Sequence, residues 1–303
     1  MSALATPAPP TVAATPGKPT RSSEAGRAQS RGGRRALGVL AVVLSVLWVF
    51  PIYWMINSAF LPLNRLQTPT PTFFPVEGTL SNFRRVIDDP SFWTSMRVSL
   101  AVVAIVLVAA LVFAFLAALA VSRFRFRTRA GFIITILIVQ MIPAEAMIIA
   151  TFRLIDGWNL LNSIIGLSAV YVATVLPFTI WTLRGFVNGV PAELEEAAMI
   201  DGLSRAQAFW RITFPLLAPG LVATGVFGFI QAWNEFMFAL VLNPRPEAMT
   251  LPVWLRTFLD PNGGVVWAEV MAGSTLVAIP VIIFFLIVQG RMTSGLVAGA
   301  VKG

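Results

Sequence analysis

Apolar positions along the chain gather into runs of 20 or more residues, too long and unbroken for the one-sided stripe of a soluble helix. Six such runs stand out, at residues 36–60, 99–121, 130–150, 162–183, 217–242 and 269–289. Each can cross a hydrocarbon layer about 30 Å thick as a helix. The pattern predicts an all-α polytopic membrane protein with six transmembrane helices. Residues 1–35 break the pattern: they are rich in Ala, Pro, Thr, Ser, Gly and Arg, bury too little apolar area to offset chain entropy, and read as a disordered tail. The first apolar run is too long for a signal-peptide core and lacks a small-residue cleavage site, so it reads as a retained span. Two long polar intervals, 61–98 and 243–268, follow the first and fifth runs.

A third polar interval, between the fourth and fifth runs, is patterned differently. "EEAAMIDGLSRAQAFWRITFP" (195–215) carries Glu195, Glu196, Asp201, Arg205 and Arg211 between two spans. Pro191 suits a first helical turn, and Glu193, Glu195 and Glu196 suit the positive end of a helix dipole. Asp201-Gly202 is a turn signal, and Ser204-x-x-Gln207 resembles a capping box that opens a second short helix. On that helix Ala206, Phe209, Trp210 and Thr213 fall on one face, and Pro215 is expected to end it. The expected product is a helix–turn–helix with an exposed aromatic face. Such a face fits a partner protein, or it lies flat on lipid headgroups.

Composition removes several function classes. The chain is 57% hydrophobic and 12% charged, with a mean hydropathy of +0.79; a soluble domain carries about twice that charge. It has no Cys and no His, so thiolate metal sites, His-based acid–base catalysis and an H-E-x-x-H zinc site are out. No Asp pair lies within the spans, and no internal repeat suggests a secondary transporter. Lys occurs only at 18 and 302, and neither stands in a G-x-x-x-x-G-K-[ST] loop. The chain therefore offers no nucleotide loop of its own, and it is expected to be no enzyme and to have no metal and no nucleic-acid partner.

Charge sets the orientation. With the N-terminus inside, one side collects most of the 22 cations: Lys18, Arg21, Arg27, Arg31, Arg34 and Arg35; Arg123, Arg125, Arg127 and Arg129; Arg184, Arg205 and Arg211; Arg291 and Lys302. The positive-inside rule then places both termini and the 191–215 segment in the cytoplasm, with the "RFRFRTR" run as a topology determinant.

Within the spans, Glu145 follows Pro143, and Glu235 sits in "QAWNEF". A carboxylate at bilayer depth costs a few kcal/mol, so each faces protein or a water-filled path. Gln231, Trp233, Asn234 and Glu235 set polar and aromatic groups side by side, as a path for a polar solute needs, though a structural interhelical hydrogen bond suits the two carboxylates as well. In 243–268, Trp254 and Trp267 fit either an interfacial aromatic belt or an external partner.

The segment's spacing resembles a known family. Glu196-Ala197-Ala198, three residues, Gly202, nine residues, then Ile212-Thr213-Phe214-Pro215 is similar to the cytoplasmic EAA motif of ABC importer permeases, with Phe214 where Leu is usual. "NF" at 82–83, "IPAEAMIIATFRLIDGWNLLNSIIGL" at 142–167, "LRGF" at 183–186, "WNEF" at 233–236 and "SGLVAGAVKG" at 294–303 resemble the carbohydrate-uptake branch, specifically its maltose-type second permease subunit. Val98 departs from an Asn often found before the Ser-Leu pair. The resemblance spans 36–303 and implies a six-span permease domain with a coupling helix between helices 4 and 5, within segment 191–215. It implies that Glu196, Ala197, Ala198, Gly202, Phe209, Trp210, Ile212 and Pro215 contact an ATPase. It further implies a bacterial cell membrane location, a second permease subunit, two cytoplasmic ATPase subunits that use ATP and Mg, an extracellular sugar-binding protein meeting 243–268, and a sugar cargo: an oligosaccharide or amino sugar. Glycerol phosphate, which the same branch carries, is the alternative. The last ten residues are too small and Gly-rich for a helix alone, and the resemblance implies that they run along the ATPase dimer.

Overall fold

The computed structural model describes residues 31–260 and 264–300. The expectations for residues 1–30 and for Val301, Lys302 and Gly303 lie outside the described residues. The chain forms two units, the first ending at Pro51 and the second beginning at Ile52. In the first, helix α1 (Arg31–Phe60) is under way by Arg31, earlier than the expected boundary. Its side chains from Leu37 to Phe50 are exposed and, Ser45 apart, apolar, as contact with lipid requires, and the Ser45 hydroxyl donates to Ala41 O at 2.8 Å.

The second unit continues α1 beyond Pro51 and is almost wholly helical. After α2 (Leu63–Leu66) and α3 (Ser81–Ile87) comes α4 (Pro90–Arg123), whose first turn is capped by the Asp89 carboxylate accepting from the Ser91 N–H. Next are α5 (Arg129–Met141), a 3-10 turn (Ala144–Met147), α6 (Ile148–Gly157) and α7 (Ile164–Gly189). The polar segment forms α8 (Glu193–Ile200), α9 (Arg205–Ala208) and a π-turn (Phe209–Thr213) that runs into α10 (Phe214–Asn234). Then follow α11 (Met237–Leu242), α12 (Leu251–Leu255), a 3-10 turn (Arg256–Phe258), a two-stranded antiparallel hairpin of β1 (Leu259–Asp260) and β2 (Gly264–Val265), and α13 (Trp267–Ala300).

Among the described residues five helices are long and apolar enough to cross a membrane, or six if one bent pair counts as a span. That pair corrects the expectation of an unbroken run at 130–150: Arg129–Met141 and Ala144–Gly157 meet at 88°. The cause is local, because a residue before proline is pushed out of the α region, and Ile142, before Pro143, is extended at φ −77°, ψ 122°. The fifth span is also shorter than expected: the helix stops at Asn234, Glu235 is extended, and α11 starts afresh. The intervals 61–98 and 243–268 are not open loops, since they contain α2, α3, the first turns of α4, α12 and the hairpin. The backbone of α13 continues through Ala300, where a non-helical end was expected.

Helix α4 is the centre of the second unit, packing mainly on α7 and also on α10 and α12. Its inner face reads Val98, Val102, Val106, Ala110, Ala114, Ala118 and Val121, all buried. Lipid gives helices no hydrophobic reason to associate, so this close fit of small residues supplies the attraction through van der Waals packing. The facing side of α10 is built alike: a Cβ on Gly228 would lie 3.4 Å from Leu107 and 3.5 Å from Val175, and one on Gly220 would stand 2.4 Å from the Phe186 ring. Farther out, Phe229 stacks on Phe284 at 3.9 Å. Asn82, fully buried, donates to the carbonyls of Ala59 and Leu61 at 2.9 Å each, satisfying the end of α1. Arg85 donates to its Oδ1 at 2.7 Å and pairs with Glu269 on α13 at 2.7 Å.

Candidate functional site: the 191–215 segment and a carboxylate-lined cavity

The 191–215 segment folds as its turn chemistry dictates. All three acidic residues Glu193, Glu195 and Glu196 lie in the first turn of α8. The helix ends on Gly202 at φ +92°, a backbone state that costs a side-chain-bearing residue but not glycine. The Gly202 N–H donates to Met199 O at 3.1 Å and the Leu203 N–H to Ala198 O at 3.1 Å, the paired bonds that close a helix on a left-handed glycine. Two residues later Ser204 opens α9 with both halves of a capping box: Gln207 N–H to Ser204 Oγ at 3.3 Å, and Ser204 N–H to Gln207 Oε1 at 2.9 Å.

Pro215 does not end this helix. The chain stays helical from Arg205 to Asn234, because a π-turn at Phe209–Thr213 precedes the proline. A π-turn shifts the hydrogen-bond ladder by one residue, and a proline in the first turn of the α-helix beyond it gives up an N–H that needed no partner there.

The segment's candidate residues divide by side. Glu196, Ala197 and Gly202 are exposed, whereas Ala198 is buried and Ile212 half-buried. The expected shared face of Phe209 and Trp210 is split as well. Trp210 is 59% exposed. Phe209 is half-buried, its ring 6.2 Å from Phe115 of α4 and 6.4 Å from Phe214.

Sequence reasoning missed three residues here. The Glu195 Oε1 accepts from Thr213 Oγ1 at 2.7 Å and lies 3.6 Å from Arg123 Nη2. The same Nη2 donates to Val190 O at 3.1 Å. Arg123, read from sequence only as a topology charge, thus joins the end of α4 to this segment. No spacing rule links residues so far apart; the only signal was a second glutamate beside Glu196.

The substrate-path candidates also converge, with one exception. A cavity of about 360 Å³ is lined by Glu145, Gln231, Asn234 and Glu235, and also by Tyr171 and Thr174 of α7. The break before Glu235 aims its carboxylate at the start of α11, where it accepts the N–H groups of Phe238 at 2.8 Å and Ala239 at 3.1 Å, acting as an N-terminal cap. Glu235 Oε2 also accepts from the Tyr171 hydroxyl. Glu235 thus bonds Tyr171 of α7 and also lines the cavity. Trp233 is the exception, 3% exposed and stacked on Phe229 at 5.6 Å, away from the lining.

Trp254 is neither belt nor exposed contact. It is 1% exposed, 5.2 Å from the Phe92 ring, and its Nε1–H donates to Ser91 Oγ at 2.9 Å. The adjoining Leu251 N–H donates to Ser99 Oγ of α4 at 2.8 Å. Trp267, by contrast, is 48% exposed.

Long apolar helices with a capped polar segment between two of them are the architecture of a multi-pass membrane protein. Residues 110–296 match the family of binding-protein-dependent transport system inner membrane components, and the chain belongs to that family. It is accordingly a multi-pass permease. The diacetylchitobiose uptake system permease protein DasC of Streptomyces coelicolor is 46% identical over 89% of this chain and 98% of its own. The trehalose/maltose transport system permease protein MalG of Thermococcus litoralis is 36% identical over 87% of this chain and 95% of its own. Among solved structures, a bacterial ABC transporter involved in the import of the acidic polysaccharide alginate contains a chain that superposes with a TM-score of 0.74 at 26% identity, covering 86% of this chain and 98% of that one.

Proposed function

We propose that this chain is one of two permease subunits of an ABC importer for a neutral oligosaccharide or amino sugar. The sugar arrives on an extracellular binding protein, which meets the 243–268 interval. Two cytoplasmic ATPase subunits bind ATP and magnesium and drive release into the cell. The chain supplies the pathway and the mechanical link and holds no nucleotide itself. The bent pair serves as the third of six spans, and the EAA helix lies between the fourth and fifth. Both termini and the 191–215 segment face the cytoplasm of a bacterial cell.

The observation that carries this reading is the 191–215 segment: a motif of fixed spacing, folded as two rigidly capped helical turns that leave Glu196, Ala197 and Trp210 exposed. Glu196 can pair with a cation on the ATPase, Ala197 permits close approach, and Trp210 is an aromatic suited to a packed anchor. Phe209 belongs to the support of this face. The relatives' names favour sugars, and the cavity disfavours an anionic one. Its lining holds Glu145 and Glu235 and no Arg or Lys, which speaks against glycerol phosphate.

A strain deleted for this subunit, carrying it on a plasmid, decides the matter against a panel of labelled sugars and glycerol 3-phosphate. The expected result is restored uptake of a neutral disaccharide or oligosaccharide. Restoration of glycerol 3-phosphate uptake alone, or of none of the compounds, overturns the reading.

A further inference from the structure

We propose that Arg123 and Glu195 form a latch that fastens the coupling segment to the end of α4, and that this latch carries motion from α8 directly into the span. The proposal rests on the importer reading given above and names two positioning residues for it. Four elements meet at the Arg123 side chain. It stands at the end of α4, donates to Val190 O just past the end of α7, faces Glu195 of α8, and through that carboxylate reaches Thr213, the last residue of the π-turn. A cation at the C-terminal end of α7 and a carboxylate in the first turn of α8 are each favoured by the helix dipoles.

Without this tie α8 would be poorly held. It has eight residues, too few to be stable alone, and most of its residues are exposed. Its covalent links are a three-residue connection to α7 and the Gly202 turn. A push on Glu196 or Ala197 could then be absorbed by those joints. The latch gives the push a second route into α4, a helix of 34 residues and about 50 Å long. The far end of α4 is held with equal care: Ser91 and Ser99 bond the Trp254 side chain and the Leu251 backbone.

The latch is slack in this arrangement. Its Nη2–Oε1 separation is 3.6 Å, whereas a charge-assisted bond closes to about 2.8 Å. The buried Arg123 Nε has no hydrogen-bond partner. A movement of α8 toward α4 of about 1 Å would let Nε and Nη2 grip Glu195 together in a two-point bond. The geometry leaves the pair room to tighten when α8 moves toward α4.

The test uses the full transporter reconstituted in vesicles, in wild-type, Glu195→Gln, Thr213→Val, Arg123→Glu and Arg123→Glu/Glu195→Arg forms. Subunit content is checked by size exclusion, hydrolysis with and without sugar-loaded binding protein, and exchange of amides 196–203 by mass spectrometry. In Glu195→Gln all subunits and basal hydrolysis are retained, stimulation by loaded binding protein falls about fivefold or more, and amides 196–203 exchange about fivefold faster or more. Thr213→Val shows the same changes in smaller degree. The reversed pair, which restores opposite charges but gives up the Val190 bond and both dipole contributions, is stimulated more than Arg123→Glu alone. Loss of ATPase subunits from Glu195→Gln, unchanged amide exchange, unchanged stimulation, or a reversed pair no better than Arg123→Glu alone overturns the latch. A wild-type complex that no sugar stimulates, but whose amides still loosen on Glu195→Gln, overturns the importer reading and supports the latch.

Discussion

Gly202 is the point at which one backbone angle controls the whole 191–215 segment. Its φ is +92°, and a Cβ built there meets no atom within 4 Å. The cost of any side chain at 202 in this chain is therefore conformational and not steric. For alanine that cost is about 1–2 kcal/mol, which lowers the population of the turn relative to alternatives by roughly 5- to 30-fold. The loss stays local, because the spans pack without the turn, so Gly202→Ala inserts normally and assembles. Since the two bonds from Gly202 and Leu203 to Met199 and Ala198 fix the angle between α8 and α9, sugar uptake falls by about the same factor. A series separates the causes. Asparagine tolerates positive φ better than alanine, and a β-branched residue tolerates it worst. Uptake in vesicles, normalised to protein inserted, is expected in the order Gly, Asn, Ala, Val, with Asp close to Asn. Alanine at wild-type activity would refute the backbone argument. Asparagine below alanine would show that bulk in the partner's groove, not φ, decides.

Three further outcomes follow from single contacts. Gly220→Ala puts a methyl 2.4 Å from the Phe186 ring and should lower thermal stability by about 1–3 kcal/mol. Gly225→Ala, where the nearest atom is 3.4 Å away, should be nearly neutral, and equal melting temperatures for the two would reject the packing account. Glu235→Gln keeps an acceptor for the α11 N–H groups and for Tyr171, whereas Glu235→Ala strands all three at about 1–3 kcal/mol each; melting in detergent should rank wild type, Gln, Ala, and Gln no better than Ala would count against the cap. Trp254→Phe removes the Nε1 bonds to Ser91 and Asp89 at about 1 kcal/mol, against about 3–5 kcal/mol for Trp254→Ala, so calorimetric scans in which Trp254→Phe melts like wild type would show that the Nε1 bonds contribute nothing.

The helices were readable wherever a short-range rule governs them. The apolar runs, the Asp201-Gly202 turn and the Ser204 capping box each depend on residues within a few positions of one another. Helix breaks were read less well, because proline has two outcomes. Before Pro143 the chain turned through 88°, while at Pro215 a π-turn let it run on; the residues alone do not tell which occurs. The polar intervals were misjudged for a related reason. Residues 61–98 and 243–268 look like loops by hydropathy, yet Asn82, Trp254 and Thr250 are buried in them. Their burial comes from fit to α1, α4 and α13, which no local pattern encodes. In the cavity, Glu145, Gln231, Asn234 and Glu235 were identifiable as polar groups out of place in spans. Tyr171 was not, since an aromatic within an apolar run is ordinary.

The two adjacent glutamates of α8 illustrate what such a reading can and cannot reach. Sequence spacing singles out Glu196 as the first residue of the motif and is silent on Glu195. On a helix, neighbours point about 100° apart, so where one faces out the other turns toward whatever lies beside the helix. Here that neighbour is Arg123 together with Thr213, and Glu195 is drawn in while Glu196 stays exposed. The same charge at adjacent positions thus meets two surroundings: Glu195 bonds Thr213 and stands beside Arg123, while Glu196 is exposed. Spacing alone could single out the outer residue. The inner role depended on α4 ending in an arginine beside α8, a consequence of how the spans pack and not of any motif.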